Sequence, residues 1–212
     1  MHWFYYTGRF LTQVVLHLLT NWQVTGRKNV PVHEPLLIVA NHLNLADPPL
    51  IAVSVNRKTV FMAKEELFRK TLPHYFVRHF GAFPVYRGRL DRDAFRQAEH
   101  WLERDFALVM FPEGMRSRDA RLQPAFPGSV LIAARLGVPI LPVGIAGTEQ
   151  IKGKFWWLRR PRVTVNIGRV FTLPPTGGKL TREERAQLAD YIMQHIAELL
   201  PPEYRGDYGK IG

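Results

Sequence analysis

The stretch Leu36-Leu37-Ile38-Val39-Ala40-Asn41-His42-Leu43-Asn44-Leu45-Ala46-Asp47-Pro48 decides how the rest of the chain is read. Five consecutive apolar residues are too few for a buried helix and suit a strand covered on both faces, the pattern of a parallel sheet. The run then breaks abruptly into a polar segment, and Asp47-Pro48 has the form of a helix N-cap followed by proline at the first helical position. Strand, polar turn and helix in that order are the opening of an α/β unit.

Working outward, further strands are expected at 59–63, 82–86, 106–111, 140–144 and 163–168. Residues 91–104 place Ala94, Phe95, Ala98, Trp101 and Leu102 on one helical face, and residues 129–136 form a helix stopped by Gly137 and Pro139. A last helix opens with Thr181 and Glu184 in capping-box spacing and turns Leu188, Ile192, Ile196 and Leu199 inward. The expected fold is α/β: a single domain, residues 23–212, with a largely parallel central sheet flanked by helices. It is preceded by an N-terminal amphipathic helical segment over residues 1–22.

In that segment Arg9, Gln13 and His17 recur every four residues and share one helical face, opposite Phe10, Val14, Val15, Leu18 and Leu19. Such a stripe is foreign to a membrane span, and no small-residue cleavage site follows it. A helix lying in a membrane interface, with aromatics such as Trp3, Phe4 and Phe10 at headgroup depth, and a helix packed on the core are both open readings. A second surface of the same character is Lys152–Arg162, where five cations flank Phe155, Trp156 and Trp157. A hairpin with those aromatics turned inward is its plainer reading.

The chain of 212 residues carries 29 Lys and Arg against 18 Asp and Glu, a formal charge of +11, which implies an anionic partner: nucleic acid, acidic lipid or a polyanionic cofactor such as coenzyme A. It has no cysteine, which removes disulfides, thiolate metal sites and a cysteine nucleophile together. No Gly-x-Ser-x-Gly elbow surrounds Ser54, Ser117 or Ser129, and the eight histidines show no metal-ligand spacing. Gly147–Lys154 imitates a phosphate-binding loop but has one residue too many between its glycines, and Phe155 where Ser or Thr is required.

Three polar clusters each follow an expected strand: Asn41-His42 with Asp47, then Arg87-Gly88-Arg89, then Pro112-Glu113-Gly114 with Arg116 and Ser117. In a parallel sheet they converge on one rim, beyond the carboxyl ends of the strands, where α/β sites form. Taken one at a time they have plain readings as caps, turns and surface charges; together they supply a base, a carboxylate and cations around one cleft. A basic nucleic-acid-binding module explains the charge and the aromatic–cation mixture, but it leaves His42, Asp47 and Glu113 without a role.

Asn41-His42-Leu43-Asn44-Leu45-Ala46-Asp47 resembles the His-x4-Asp signature of the glycerolipid acyltransferases, the family of 1-acylglycerol-3-phosphate acyltransferase. Phe61–Phe68, Gly81–Arg87, Phe111–Ser117 and Val138–Val143 resemble further blocks of that family in its order, so the resemblance covers roughly residues 24–170. Met115 stands where the family usually has threonine, and Phe126-Pro127 replaces a lysine-containing pair. The resemblance implies acyl transfer from acyl-CoA or acyl carrier protein to the free hydroxyl of lysophosphatidic acid, giving phosphatidic acid, on the cytoplasmic face of a membrane. It implies His42 as general base and Asp47 as its partner, with Asn41, Arg87, Glu113, Gly114, Arg116 and Ser117 about the acceptor. Neither metal nor cofactor nor nucleic acid is expected. Glycerol-3-phosphate, a lyso-ornithine lipid or another lysolipid as acceptor stays open. The mechanism is chemically sound: an imidazole, with an ordinary pKa of about 6.5, takes the hydroxyl proton near neutrality, and a carboxylate fixes its tautomer.

Overall fold

The computed structural model describes residues 3–65, 81–85, 92–175 and 179–210. Seven strands form one sheet: β1 (Asn21–Thr25), β2 (Leu36–Ala40), β3 (Thr59–Lys64), β4 (Ala82–Val85), β5 (Ala107–Met110), β6 (Ile140–Ala146) and β7 (Arg162–Ile167), in the order β1-β7-β6-β2-β5-β3-β4. Strands β2 to β6 are mutually parallel, while β7 runs antiparallel to β6 and carries β1 beside it in its own direction. The α-helices among the described residues are α1 (Trp3–Leu19), α2 (Asp47–Ser54), α3 (Arg92–Leu102), α4 (Gly128–Leu136) and α5 (Arg182–Ala197).

The run at 36–40 is the centre of the sheet. All five residues are fully buried, with Leu36, Ile38 and Ala40 facing the layer of α1 and α2, and Leu37 and Val39 facing α3, α4 and α5. Each such Leu, Ile or Val stabilises the fold by about 1.5–3 kcal/mol on burial, which is why no polar residue interrupts the run. Because β5 and β6 flank β2 on either side in parallel register, the segments leaving β2, β5 and β6 meet at one end of the sheet. The expected capping box of the last helix is present: the Thr181 hydroxyl accepts from the Glu184 amide at 3.1 Å, and the Glu184 carboxylate accepts from the Thr181 amide at 2.7 Å.

Two features differ from the sequence expectations, and a third bears on readings that the sequence leaves open. Asn21–Thr25, which is not among the expected strands, is an edge strand, so the helix stops at Leu19 and the sheet begins at residue 21. The N-cap of α2 is Ala46; Asp47 lies one residue inside and turns its carboxylate back into the preceding loop. The third concerns α1. Arg9 of its polar edge is turned to the body, its guanidinium donating to the carbonyls of Arg57 at 3.0 Å and Val55 at 3.2 Å, just past the end of α2, while His17 of the same stripe is exposed. Leu16 and Thr20 are buried there too, while Tyr6, Phe10, Leu11, Val14, Val15 and Leu18 are exposed. The carbonyls at the end of α2 need donors, and arginine supplies them where leucine has none. No helix among the described residues is long and apolar enough to cross a membrane.

Candidate active site

The site is built on the loop between β2 and α2. Asp47 is fully buried, and its Oδ2 accepts from the backbone amides of Leu43 at 2.6 Å and Asn44 at 2.7 Å. The same oxygen lies 2.7 Å from Nδ1 of His42, whose side chain is 16% exposed. An ionised carboxylate only accepts, so Nδ1 carries the proton and Nε2 presents its lone pair. Among the described residues nothing engages Nε2. The His42 ring stacks on Phe111 from the end of β5, with centroids 4.2 Å apart and planes 22° from parallel, which fixes the second degree of freedom of the imidazole.

Neighbouring strands brace this loop. The Asn41 side chain is buried and closes the ladder to β6 in both directions, donating to the Ile145 carbonyl at 2.8 Å and accepting from its amide at 2.7 Å. Glu113, 1% exposed, bridges two segments: Oε1 accepts from the His42 amide at 2.8 Å and Oε2 from the Gln123 amide at 3.0 Å. Its pKa is raised to about 7, chiefly by burial and in lesser part by the Asp47 charge, against the opposing pull of those two amides. The Ser117 amide donates to the His42 carbonyl at 2.7 Å, while its hydroxyl is engaged with Asp119 at 2.9 Å. Gly114 turns the chain with φ +64°, where a Cβ would press on the Phe126 ring.

The expected site residues therefore divide. His42 and Asp47 form a hydrogen-bonded pair. Asn41 and Glu113, expected about the acceptor, spend their polar atoms on the protein's own backbone, because two buried loops need their amides and carbonyls satisfied. Arg116 is exposed and makes no hydrogen bond or ion pair with a described residue, so its guanidinium is available beside the loop. Arg87 lies outside the described residues, as do the side chains of Trp3 and Phe4, although the backbone of both belongs to α1. Phe155 and Trp157 are exposed, Trp156 is half-buried, and residues 156–159 form a 3₁₀ turn where a hairpin was the plainer expectation. Sequence reasoning missed Phe111 as the stacking partner. It also missed Thr148, whose buried hydroxyl donates to Oδ1 of Asp47 at 2.7 Å across 101 residues.

The histidine–carboxylate pair lies at the carboxyl end of the parallel strands, braced from three of them and with Nε2 unengaged by any described residue, an arrangement that suits a base-catalysed transferase or hydrolase. Comparison narrows the class. The family model described as acyltransferase matches residues 21–146, more than half of the chain. A 1-acyl-sn-glycerol-3-phosphate acyltransferase of Streptococcus pneumoniae is 33% identical over 169 residues, which cover 75% of this chain and 60% of that protein. One from Salmonella typhimurium is 30% identical over 178 residues, covering 77% and 67%. The crystal structure of the 1-acyl-sn-glycerophosphate (LPA) acyltransferase PlsC from Thermotoga maritima superposes with a TM-score of 0.70 at 29% identity, covering 90% of this chain and 76% of that one. This chain belongs to the acyltransferase family. The matched part spans 60% of the pneumococcal relative and 54% of one from Chlamydomonas reinhardtii.

Proposed function

We propose that this protein moves a fatty acyl group from a thioester donor, acyl-CoA or acyl carrier protein, to the free hydroxyl of lysophosphatidic acid, giving phosphatidic acid. The observation that carries the reading is the His42–Asp47 pair, whose Nε2 no described residue engages. A thioester is already activated, so the task is to make the acceptor oxygen a better nucleophile. Nε2 takes the hydroxyl proton as the oxygen attacks the thioester carbon, and the Asp47 carboxylate stabilises the imidazolium. The new ester C–O bond forms, the C–S bond breaks, and the proton passes from the imidazolium to the departing thiolate. No acyl-enzyme is required.

Arg116, with Arg87 from the second block, clamps the acceptor phosphate, a task suited to guanidinium groups. The membrane supplies the acceptor. The exposed apolar face of α1 (Phe10, Leu11, Val14, Val15, Leu18) and the exposed Phe155, Trp157 and Leu158 support a docking surface, and the Arg160 guanidinium, donating to the His17 carbonyl at 3.1 Å, ties the end of the 3₁₀ turn to the end of α1. Lys152, Lys154 and Arg159 lie on the same exposed turn. This surface supports peripheral docking on an anionic bilayer, apolar side chains below the headgroups and cations among them. A panel of lysophosphatidic acid, glycerol-3-phosphate, lyso-ornithine lipid and lysophosphatidylcholine, each offered with acyl-CoA and with acyl carrier protein and read by mass spectrometry, tests the acceptor and the donor together. Acylation of the phosphate-free lyso-ornithine lipid in preference to lysophosphatidic acid overturns the acceptor assignment.

A further inference from the structure

The carboxylate of Asp47 has two oxygens, and their surroundings differ. Oδ2 takes the amides of Leu43 and Asn44 and the imidazole of His42, all from its own loop. Oδ1 is held from elsewhere in the fold, by the hydroxyl of Thr148 at 2.7 Å. Thr148 and Asp47 are both fully buried, so no water substitutes for that hydroxyl if it is lost. Thr148 opens the turn after β6, and that turn is shaped for the purpose. Gly147 has φ +90°, and a Cβ there would overlap the Arg162 carbonyl oxygen, so only glycine brings the chain around so tightly. Two residues earlier, Ile145 is fastened to β2 through the Asn41 side chain. The ends of β2 and β6 are therefore joined twice, once through Asn41 and once through the Asp47–Thr148 bond.

We propose that Thr148 is a positioning residue for the His42–Asp47 pair, fixing the carboxylate plane and drawing off part of its charge so that the imidazole releases its proton more readily. The inference rests on the reading of His42 as the base, and it adds a third group to that machinery from a turn with no place in the histidine–aspartate motif. The physical argument is electrostatic. A hydroxyl donating to Oδ1 competes with the imidazolium for the same negative charge. Without it the carboxylate holds the imidazolium more firmly, and the proton stays on to higher pH. Among the described residues, Glu113 lies behind the His42 amide, Glu149, next in the chain after Thr148, accepts from the Tyr204 hydroxyl at 2.9 Å, and Arg116 is exposed beside the loop. Asp119 stands further out, reached through Ser117. None of them donates to Oδ1.

The test is the titration of His42 by NMR in protein carrying isotope-labelled histidine, with its resonance assigned as the one missing from His42→Ala. In Thr148→Val, which keeps the shape and removes the donor, the midpoint rises by roughly one pH unit; in Thr148→Ser, which restores the hydroxyl, it stays within about 0.3 units of the original. If Thr148→Val does not fold, Thr148→Ala is titrated by the same criterion. An unmoved midpoint in a folded variant without the hydroxyl overturns the proposal and leaves Thr148 a merely structural residue. The acid limb of kcat/KM for acyl transfer moves up with the midpoint. A moved midpoint in a protein that acylates nothing sinks the functional reading and sustains this one; His42-dependent acylation with an unmoved midpoint does the reverse.

Discussion

Replacing Glu113 by Gln is expected to remove a pH dependence of stability that the wild type owes to one buried carboxyl. In the native state that group titrates near 7, against 4.5 for the unperturbed side chain, chiefly because burial penalises its charge. The native state therefore binds this proton more tightly than the unfolded chain does. The stabilisation is fully present below about pH 4.5, declines as the pH rises, and is gone above about 7. A separation of about 2.5 units is worth about 3 kcal/mol in full, of which about 2.5 kcal/mol falls between pH 5 and pH 8. Glutamine cannot ionise, so the variant lacks this slope. It carries instead a pH-independent loss of about 1–3 kcal/mol, because its amide group faces one of the two backbone N–H groups that the carboxylate satisfied. Urea unfolding monitored by tryptophan fluorescence at pH 5 and pH 8 measures both effects. The difference in stability between wild type and Glu113→Gln should favour the wild type most at pH 5 and shrink by about 2.5 kcal/mol at pH 8. Parallel pH profiles for the two proteins would refute the reasoning that burial dominates at this carboxyl.

Asp47→Asn should lower kcat steeply while the protein stays folded, since an amide oxygen still accepts from the Leu43 and Asn44 amides but stabilises no imidazolium; steady-state rates and a thermal melt check both halves. Arg116→Ala should raise the KM for lysophosphatidic acid about 10- to 100-fold, the worth of one charge-assisted contact, and leave the donor KM nearly unchanged; equal effects on both substrates would count against a phosphate clamp. Leu18→Glu, on the exposed face of α1, should weaken sedimentation with anionic vesicles without lowering the melting temperature, whereas Leu16→Glu, on the buried face, should destabilise the fold.

How far the sequence could be read depended on whether a residue's role was local. The buried run 36–40, the helix 182–197 and its capping box arise from short-range pattern, and the structure has them where the pattern puts them. Strand β1 escaped notice because Asn21–Thr25 alternates between exposed and half-buried positions at the sheet edge and comes directly after a helix. The stripe of Arg9, Gln13 and His17 is visible in sequence, but which side of it faces the body is not. That depends on the carbonyls at 55 and 57 that Arg9 caps. Asn41 and Glu113 stand in the motifs, and nothing local tells that their side chains bond to backbone 104 and 71 residues away. Thr148 lies in a stretch that imitates a phosphate loop, and only the fold brings it to Asp47.

In the proposed reaction the His42 imidazole makes the acceptor hydroxyl nucleophilic. Phosphatidic acid formed from lysophosphatidic acid and an acyl donor on anionic vesicles, counted by mass spectrometry for wild type and His42→Ala at equal vesicle-bound protein, tests it most directly. Steady product is expected from the wild type, and from His42→Ala a rate lower by at least about 10²-fold with an unchanged melting temperature. Wild-type turnover by a folded His42→Ala would contradict it.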